Sequence, residues 1–226
     1  MKVAQLANTI AANALIGREK SAVLCCLEDD ETPPGLRQTL FHELAHIFCA
    51  KSEMDGEHFI DIYGSGTPPE NPDMTPEERQ YDGLLVAGHA IWSEFIAQFF
   101  ALLFTEPEDY RIADVTGYAK EFVPEIAAVI GGDGKAAFAM VAAALLTCVD
   151  ANNTRSRSKL LRTLFPQDMS LGSDLRRMFS ECLALLQGRL DNEKPWKITE
   201  EFIAELGAKY FEFKTKYAMQ LWGSFM

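Results

Sequence analysis

The spacing of apolar residues is helical along most of the chain. Apolar positions recur every three or four residues, the period that places side chains on one face of an α-helix. Glycine, proline and capping residues interrupt this pattern and mark the ends of the helices. The pattern predicts helices over 3–16, 34–50, 75–104, 117–130, 133–150, 154–164, 170–189 and 198–223.

Two segments depart from the helical period. The apolar run from Ser21 to Glu28 is short and has charges on both sides, which is typical of a strand. Residues 51–76 are rich in Gly, Pro, Asn and Ser, which predicts a long loop of the kind that often forms a lid or binding loop. The sequence therefore predicts a mainly α fold (α+β), with a small strand element near the N-terminus. Residues 105–226 are expected to form a helical C-terminal region, packed on residues 1–104 as one compact unit.

Composition narrows the classes of partner. Hydrophobic residues make up 48% of the 226 positions and charged residues 24%, which is ordinary for a globular protein. The formal net charge of -12 repels phosphate backbones, so we expect no nucleic-acid binding. The longest apolar run, 136–149, is shorter than the ~20 residues of a membrane span. Without a signal-peptide pattern or a C-x-x-C pair, the chain is expected to be cytoplasmic and reduced, with no membrane partner.

The segment "TLFHELAHIF" carries the strongest chemical pattern. His42 and His46 are four residues apart, so both point to one face of a helix and can bind one ion. Imidazole is a preferred zinc ligand, and Glu43 is placed to take a proton from a zinc-activated water. Two core histidines with satisfied hydrogen bonds are the alternative. However, a shuffled chain of this composition would contain H-E-x-x-H with an expectation of only about 0.005.

A catalytic zinc needs a third protein ligand, which the motif helix does not provide. Cys49 is about 10 Å along the helix from His42, too far to share an ion, and is expected in the core. Ser52 occupies the position of the last histidine in the longer H-E-x-x-H-x-x-G-x-x-H form, which excludes that form.

The better source is the apolar segment 84–104. Its strongly polar side chains are His89, Ser93, Glu94 and Gln98. A lone carboxylate on a buried helix needs a cation, so Glu94 is the predicted third ligand, with Gln98 one turn away to orient the site. His89 is the rival ligand, and an ion pair of Glu94 with Arg or Lys is the alternative without metal.

With these motifs the chain resembles the glutamate-ligand zincin metallopeptidases, most closely the ImmA/IrrE-type domains of bacteria and phages. The resemblance rests on "HELAH" and the later "WSEFIAQFF". It implies a minimal zincin core in residues 1–104, zinc bound by His42, His46 and Glu94, and Glu43 as general base. It also implies hydrolysis of a peptide or protein substrate. An oxyanion-stabilising group is then expected, for which Tyr63, Tyr81, Tyr110, Tyr118 and His89 are open candidates.

Two other functions fit the same residues. Two histidines and a carboxylate also bind non-haem iron, although that chemistry needs no base at Glu43. The chain is alternatively a non-catalytic helical regulatory or interaction protein with a structural or vestigial metal site, for which a closed four-ligand site would be diagnostic.

Overall fold

Helices dominate the part of the chain whose structure is described. The computed structural model describes residues 11–15, 22–26, 36–52, 54, 73–104, 134–147, 158, 161, 162, 164, 165, 171–191 and 198–223. Over these residues the predicted mainly α class is confirmed. The elements are β1 (Ala11–Leu15), β2 (Ala22–Cys26), α1 (Leu36–Lys51), α2 (Pro76–Phe104), α3 (Gly134–Thr147), α4 (Gly172–Asp191) and α5 (Glu200–Gly223).

The two strands form an antiparallel pair beside α1. Asn13 of β1 lies opposite Leu24 of β2, and both strands contact α1. β2 falls within the apolar run from Ser21 to Glu28. The helix predicted over 3–16 is wrong at positions 11–15, where the Ala-rich sequence suits a helix but pairing with β2 extends the backbone.

Side-chain caps set the starts of two helices. At α2 the backbone N–H of Thr75 donates to Glu78 Oε2 at 2.7 Å, and the backbone N–H of Glu78 donates to Thr75 Oγ1 at 3.2 Å. This reciprocal capping box gives the backbone N–H groups of Thr75 and Glu78 hydrogen-bond acceptors and so fixes the start of α2. At α5 the backbone N–H of Phe202 donates to Thr199 Oγ1 at 3.3 Å. Helix α2 starts at Pro76, within one residue of the predicted start at 75, and α5 starts at Glu200, two residues after the predicted start at 198. The helix predicted over 117–130 and most of loop 51–76 lie outside the described residues.

Helix α2 is the centre of the fold. It packs against α1, α3 and α5, and α4 packs against α3 and α5. Trp92 is fully buried, and its indole N–H donates to the carbonyl oxygen of Met54 at 2.9 Å, which ties the chain after α1 to α2. Among the described residues, one apolar core thus includes helices from both predicted regions, 1–104 and 105–226.

Helix α2 is also long enough and apolar enough to meet the criteria for a membrane span. It is the one helix in the described ranges that is long and apolar enough, and 67% of its most apolar window is buried by the rest of the fold. Core helices share this composition, because a helix surrounded by others is apolar on all sides.

Helix α1 is only partly buried. Its apolar residues suggest burial all round, but Leu44 is 49% exposed and Phe48 is 51% exposed. Ala45 and Cys49, on the other side, are buried. The two histidines face α2, whereas Phe48 lies at the edge of the contact and touches Phe100 of α2, with ring centroids 5.7 Å apart.

Two glycines allow α2 and α5 to cross closely. A Cβ at Gly88 would overlap the backbone carbonyl of Ile203, and a Cβ at Gly207 would overlap that of Leu84. Both obstacles are helix backbone, which cannot move aside without separating the helices. The position of α2, and of the side chains it carries, depends on these two positions being glycine.

We expect Gly88→Ala and Gly207→Ala each to destabilise the protein by about 1–3 kcal/mol or more, because each overpacks the crossing. Gly83→Ala is the matched control on α2, since a Cβ there would have no atom within 4 Å. It should be neutral or stabilising by up to about 1 kcal/mol. Urea unfolding of the three variants measures the free energies. Equal stability of Gly88→Ala and Gly83→Ala would show that the crossing is looser than described.

Candidate metal centre

Helix α1 presents His42 and His46 side by side toward α2. The four-residue spacing places the two rings next to each other on one face of the helix. Their centroids are 4.8 Å apart and the rings are edge to face. The two Nε2 atoms are 3.1 Å apart. Each side chain is only 14% exposed, so both imidazoles are held in largely desolvated positions.

Helix α2 brings Glu94 to the same point. Glu94 Oε2 lies 3.3 Å from His42 Nε2, and Glu94 Oε1 lies 3.7 Å from His46 Nε2. The other nitrogens of the two rings also meet α2: His42 Nδ1 is 3.0 Å from Gln98 Oε1, and His46 Nδ1 is 3.3 Å from Ser93 Oγ. The ring nitrogens of both histidines are therefore all directed to partners on α2 or to each other.

The three facing groups have the dimensions of a metal site. A tetrahedral zinc with bonds of about 2.0–2.2 Å separates its ligand atoms by about 3.3–3.6 Å. The two Nε2 atoms are 3.1 Å apart, and they lie 3.3 and 3.7 Å from the two different oxygens of Glu94, which is close to that range. His42, His46 and Glu94 are the one set of three potential ligands that meets within 4.8 Å among the described residues. The residues present thus fit a zinc ion in number, type and spacing.

Burial and mutual contacts shift the pKa values of all three side chains. Burial lowers the pKa of His46 to about 4, and the neighbouring His42 adds to this effect. Burial also opposes the charged form of His42, but the hydrogen bond and charge of Glu94 outweigh it and raise the pKa of His42. Burial opposes ionisation of Glu94 as well, yet the hydrogen bond from His42 and the two imidazoles together lower its pKa. The site therefore favours an ionised Glu94 beside a neutral His46, and it places its favoured positive charge on His42.

Glu94 is the most exposed of the three ligand candidates. The Glu94 side chain is 34% exposed, in contrast to the two histidines. Glu43 follows His42 on α1 and is partly exposed, and its negative charge contributes to the raised pKa of His42. An ion held by the three side chains would thus have solvent access, with a carboxylate nearby.

The other predicted candidates lie apart from this group. Cys49 is fully buried in the core, as predicted, and His89 is buried on α2 outside the group of ligand atoms. The ion pairs of Glu94 within the described ranges are with the two histidines. Tyr81 donates to Glu200 Oε1 at 3.0 Å, and it lies about 20 Å along α2 from Glu94, too far to stabilise an oxyanion there. Tyr63, Tyr110 and Tyr118 lie outside the described residues.

Ser93 is the contact that the sequence did not predict. It was visible as one of the few polar residues on an apolar helix, directly before Glu94. Its contact with His46 Nδ1 depends on how closely α1 approaches α2, which no periodicity encodes.

Comparison with protein-family models, curated proteins and solved structures found no match to this chain. The interpretation of the site therefore depends on its own geometry and chemistry.

Glu94→Ala should remove zinc from the purified protein, while His89→Ala should retain about one zinc per chain. The physical reason is that Glu94 closes the group of three ligand atoms and His89 lies outside it. Loss of a ligand should weaken zinc binding by more than the roughly 10–100-fold that loss of an orienting contact costs. Elemental mass spectrometry measures the zinc, and circular dichroism checks that each variant is folded. Zinc lost from a folded His89→Ala and kept in Glu94→Ala would move the third ligand to His89.

Proposed function

We propose that this protein is a zinc-dependent metallopeptidase of the minimal zincin type. The single observation that carries the proposal is the meeting of His42, His46 and Glu94, two imidazoles from an H-E-x-x-H helix and one carboxylate from the next described helix. Among the described residues three ligands meet and Glu94 is partly exposed, which is the arrangement of catalytic zinc sites, whereas structural sites are closed by four ligands.

The chemistry divides between the ion and the chain. When bound, zinc lowers the pKa of a water and polarises a substrate carbonyl. His42, His46 and Glu94 hold the ion, and the partial exposure of Glu94 leaves room for water and substrate. Glu43 accepts the proton of the attacking water and later passes it to the leaving amine. The substrate is a peptide or protein, and the cytoplasm is the proposed compartment.

The position of Glu43 favours hydrolysis over the two other functions. Non-haem iron oxygen chemistry uses two histidines and a carboxylate but no adjacent general base. A structural or vestigial zinc in a helical interaction protein would need neither Glu43 nor the partial exposure of Glu94. The proposed peptidase uses both features.

Glu43→Gln should reduce peptide hydrolysis by at least about 10²–10⁴-fold while leaving zinc content unchanged, because it removes the base without removing a ligand. Hydrolysis is measured by mass spectrometry on a complex peptide mixture incubated with the zinc-loaded protein. Glu205→Gln is the matched control, since Glu205 is an exposed carboxylate on α5 that pairs with Lys209.

Each outcome of this experiment is informative. Full activity in Glu43→Gln would exclude Glu43 as the base. A zinc-loaded wild-type protein that cleaves no peptide would contradict the peptidase and favour the structural-metal alternative.

A further inference from the structure

Two polar side chains of α2 contact the histidine rings at their Nδ1 atoms, and the Nε2 atoms face Glu94. Ser93 and Gln98 flank Glu94, one residue before it and one turn after it, and they face the Nδ1 atoms of His46 and His42. Gln98 is only 5% exposed although its side chain is polar. A buried amide that loses its hydrogen bond costs about 1–3 kcal/mol, so the contact with His42 constrains both partners.

The contact with Gln98 selects one tautomer of His42. An amide oxygen only accepts hydrogen bonds, so His42 Nδ1 must carry the proton that is donated to Gln98 Oε1. With Nδ1 protonated, the proton that His42 donates to Glu94 is on Nε2, and a bound ion would displace that proton and take the Nε2 lone pair. Nε2 is the atom that lies 3.3 Å from Glu94 and 3.1 Å from His46 Nε2, so the lone pair points to the centre of the group.

Ser93 constrains His46 less strongly. A hydroxyl both donates and accepts, so it is compatible with either tautomer of His46. The 3.3 Å separation of Ser93 Oγ from His46 Nδ1 is also longer than the 3.0 Å contact of Gln98. The two histidines are therefore positioned unequally, with His42 the more firmly fixed.

We infer that Gln98 is a positioning residue that raises the zinc affinity of this site. It holds His42 in the tautomer and orientation in which Nε2 binds the ion. Ser93 positions His46 in the same way but more weakly. The inference rests on the metal site of the proposed function but does not require peptide hydrolysis. Both partners are neutral, so they orient the rings without adding charge. A carboxylate in place of Gln98 would keep the acceptor and make His42 a more basic ligand.

The test compares the zinc affinities of matched variants by competition with a chromophoric chelator. Gln98→Met keeps the side-chain length but removes the acceptor, and should weaken zinc binding about 10–100-fold. Gln98→Glu should restore affinity to the wild-type level or above. Ser93→Ala should cause a smaller loss than Gln98→Met.

Two controls separate positioning from general effects on packing. Gln220 is the matched buried glutamine, 7% exposed on α5, where its Oε1 accepts from the backbone N–H of Leu171 at 2.8 Å. Gln220→Met should lower stability without changing zinc affinity. Ser180→Ala on α4 is the matched serine control, since Ser180 Oγ donates to the carbonyl oxygen of Arg176.

A nuclear magnetic resonance measurement reads the contact directly. In the zinc-loaded protein, the His42 Hδ1 resonance should be protected from exchange with water in wild type and in Gln98→Glu. The same resonance should exchange rapidly in Gln98→Met. A loss of packing elsewhere, as in Gln220→Met, would not produce this change.

The outcomes distinguish this inference from the proposed function. Unchanged zinc affinity and a protected Hδ1 in Gln98→Met would overturn the inference while the site itself stands. The expected affinity series in a protein that cleaves no peptide would support the inference and contradict the peptidase. Absence of zinc binding in wild type, even with zinc supplied, would overturn both.

Discussion

The approach of α1 to α2 is the constraint on which the site depends. Two imidazoles and a carboxylate meet between two largely apolar helices, and each would be costly to bury alone. Their separations of 3.1–3.7 Å allow each to stabilise the others and allow one cation to satisfy all three. The same contact supplies the Nδ1 partners Ser93 and Gln98, so one helix pair contains the three predicted ligands and their orienting groups.

The rest of the described fold fixes α2 in place. Its far side is held by α3 and α5, and the crossing with α5 is close because Gly88 and Gly207 carry no Cβ. The hydrogen bond from the Trp92 indole N–H to the carbonyl oxygen of Met54 joins α2 to the segment that follows α1. Rigid placement matters for a metal site, because ligand atoms must be held within a few tenths of an ångström of their productive positions. The large core of the helical region therefore contributes to the site although it lies away from it.

Local patterns in the sequence predict the helices and the three candidate ligands, but not the contacts that depend on tertiary packing. The spacing of His42 and His46 is a property of one helix, and Glu94 stands out as a lone carboxylate in an apolar segment. The partner of His46 at Ser93, the glycine crossing and the exposure of Leu44 depend on which surfaces meet. Residues 11–15 show the same limit, since pairing with β2 overrides a helical preference.

The most direct test of the central claim is zinc-edge X-ray absorption spectroscopy of the zinc-loaded wild-type protein. The account predicts a first coordination shell of nitrogen and oxygen atoms at about 2.0–2.2 Å, with the outer-shell scattering of two imidazoles and no sulfur. A sulfur ligand at about 2.3 Å, or fewer than two imidazoles, would contradict the site formed by His42, His46 and Glu94.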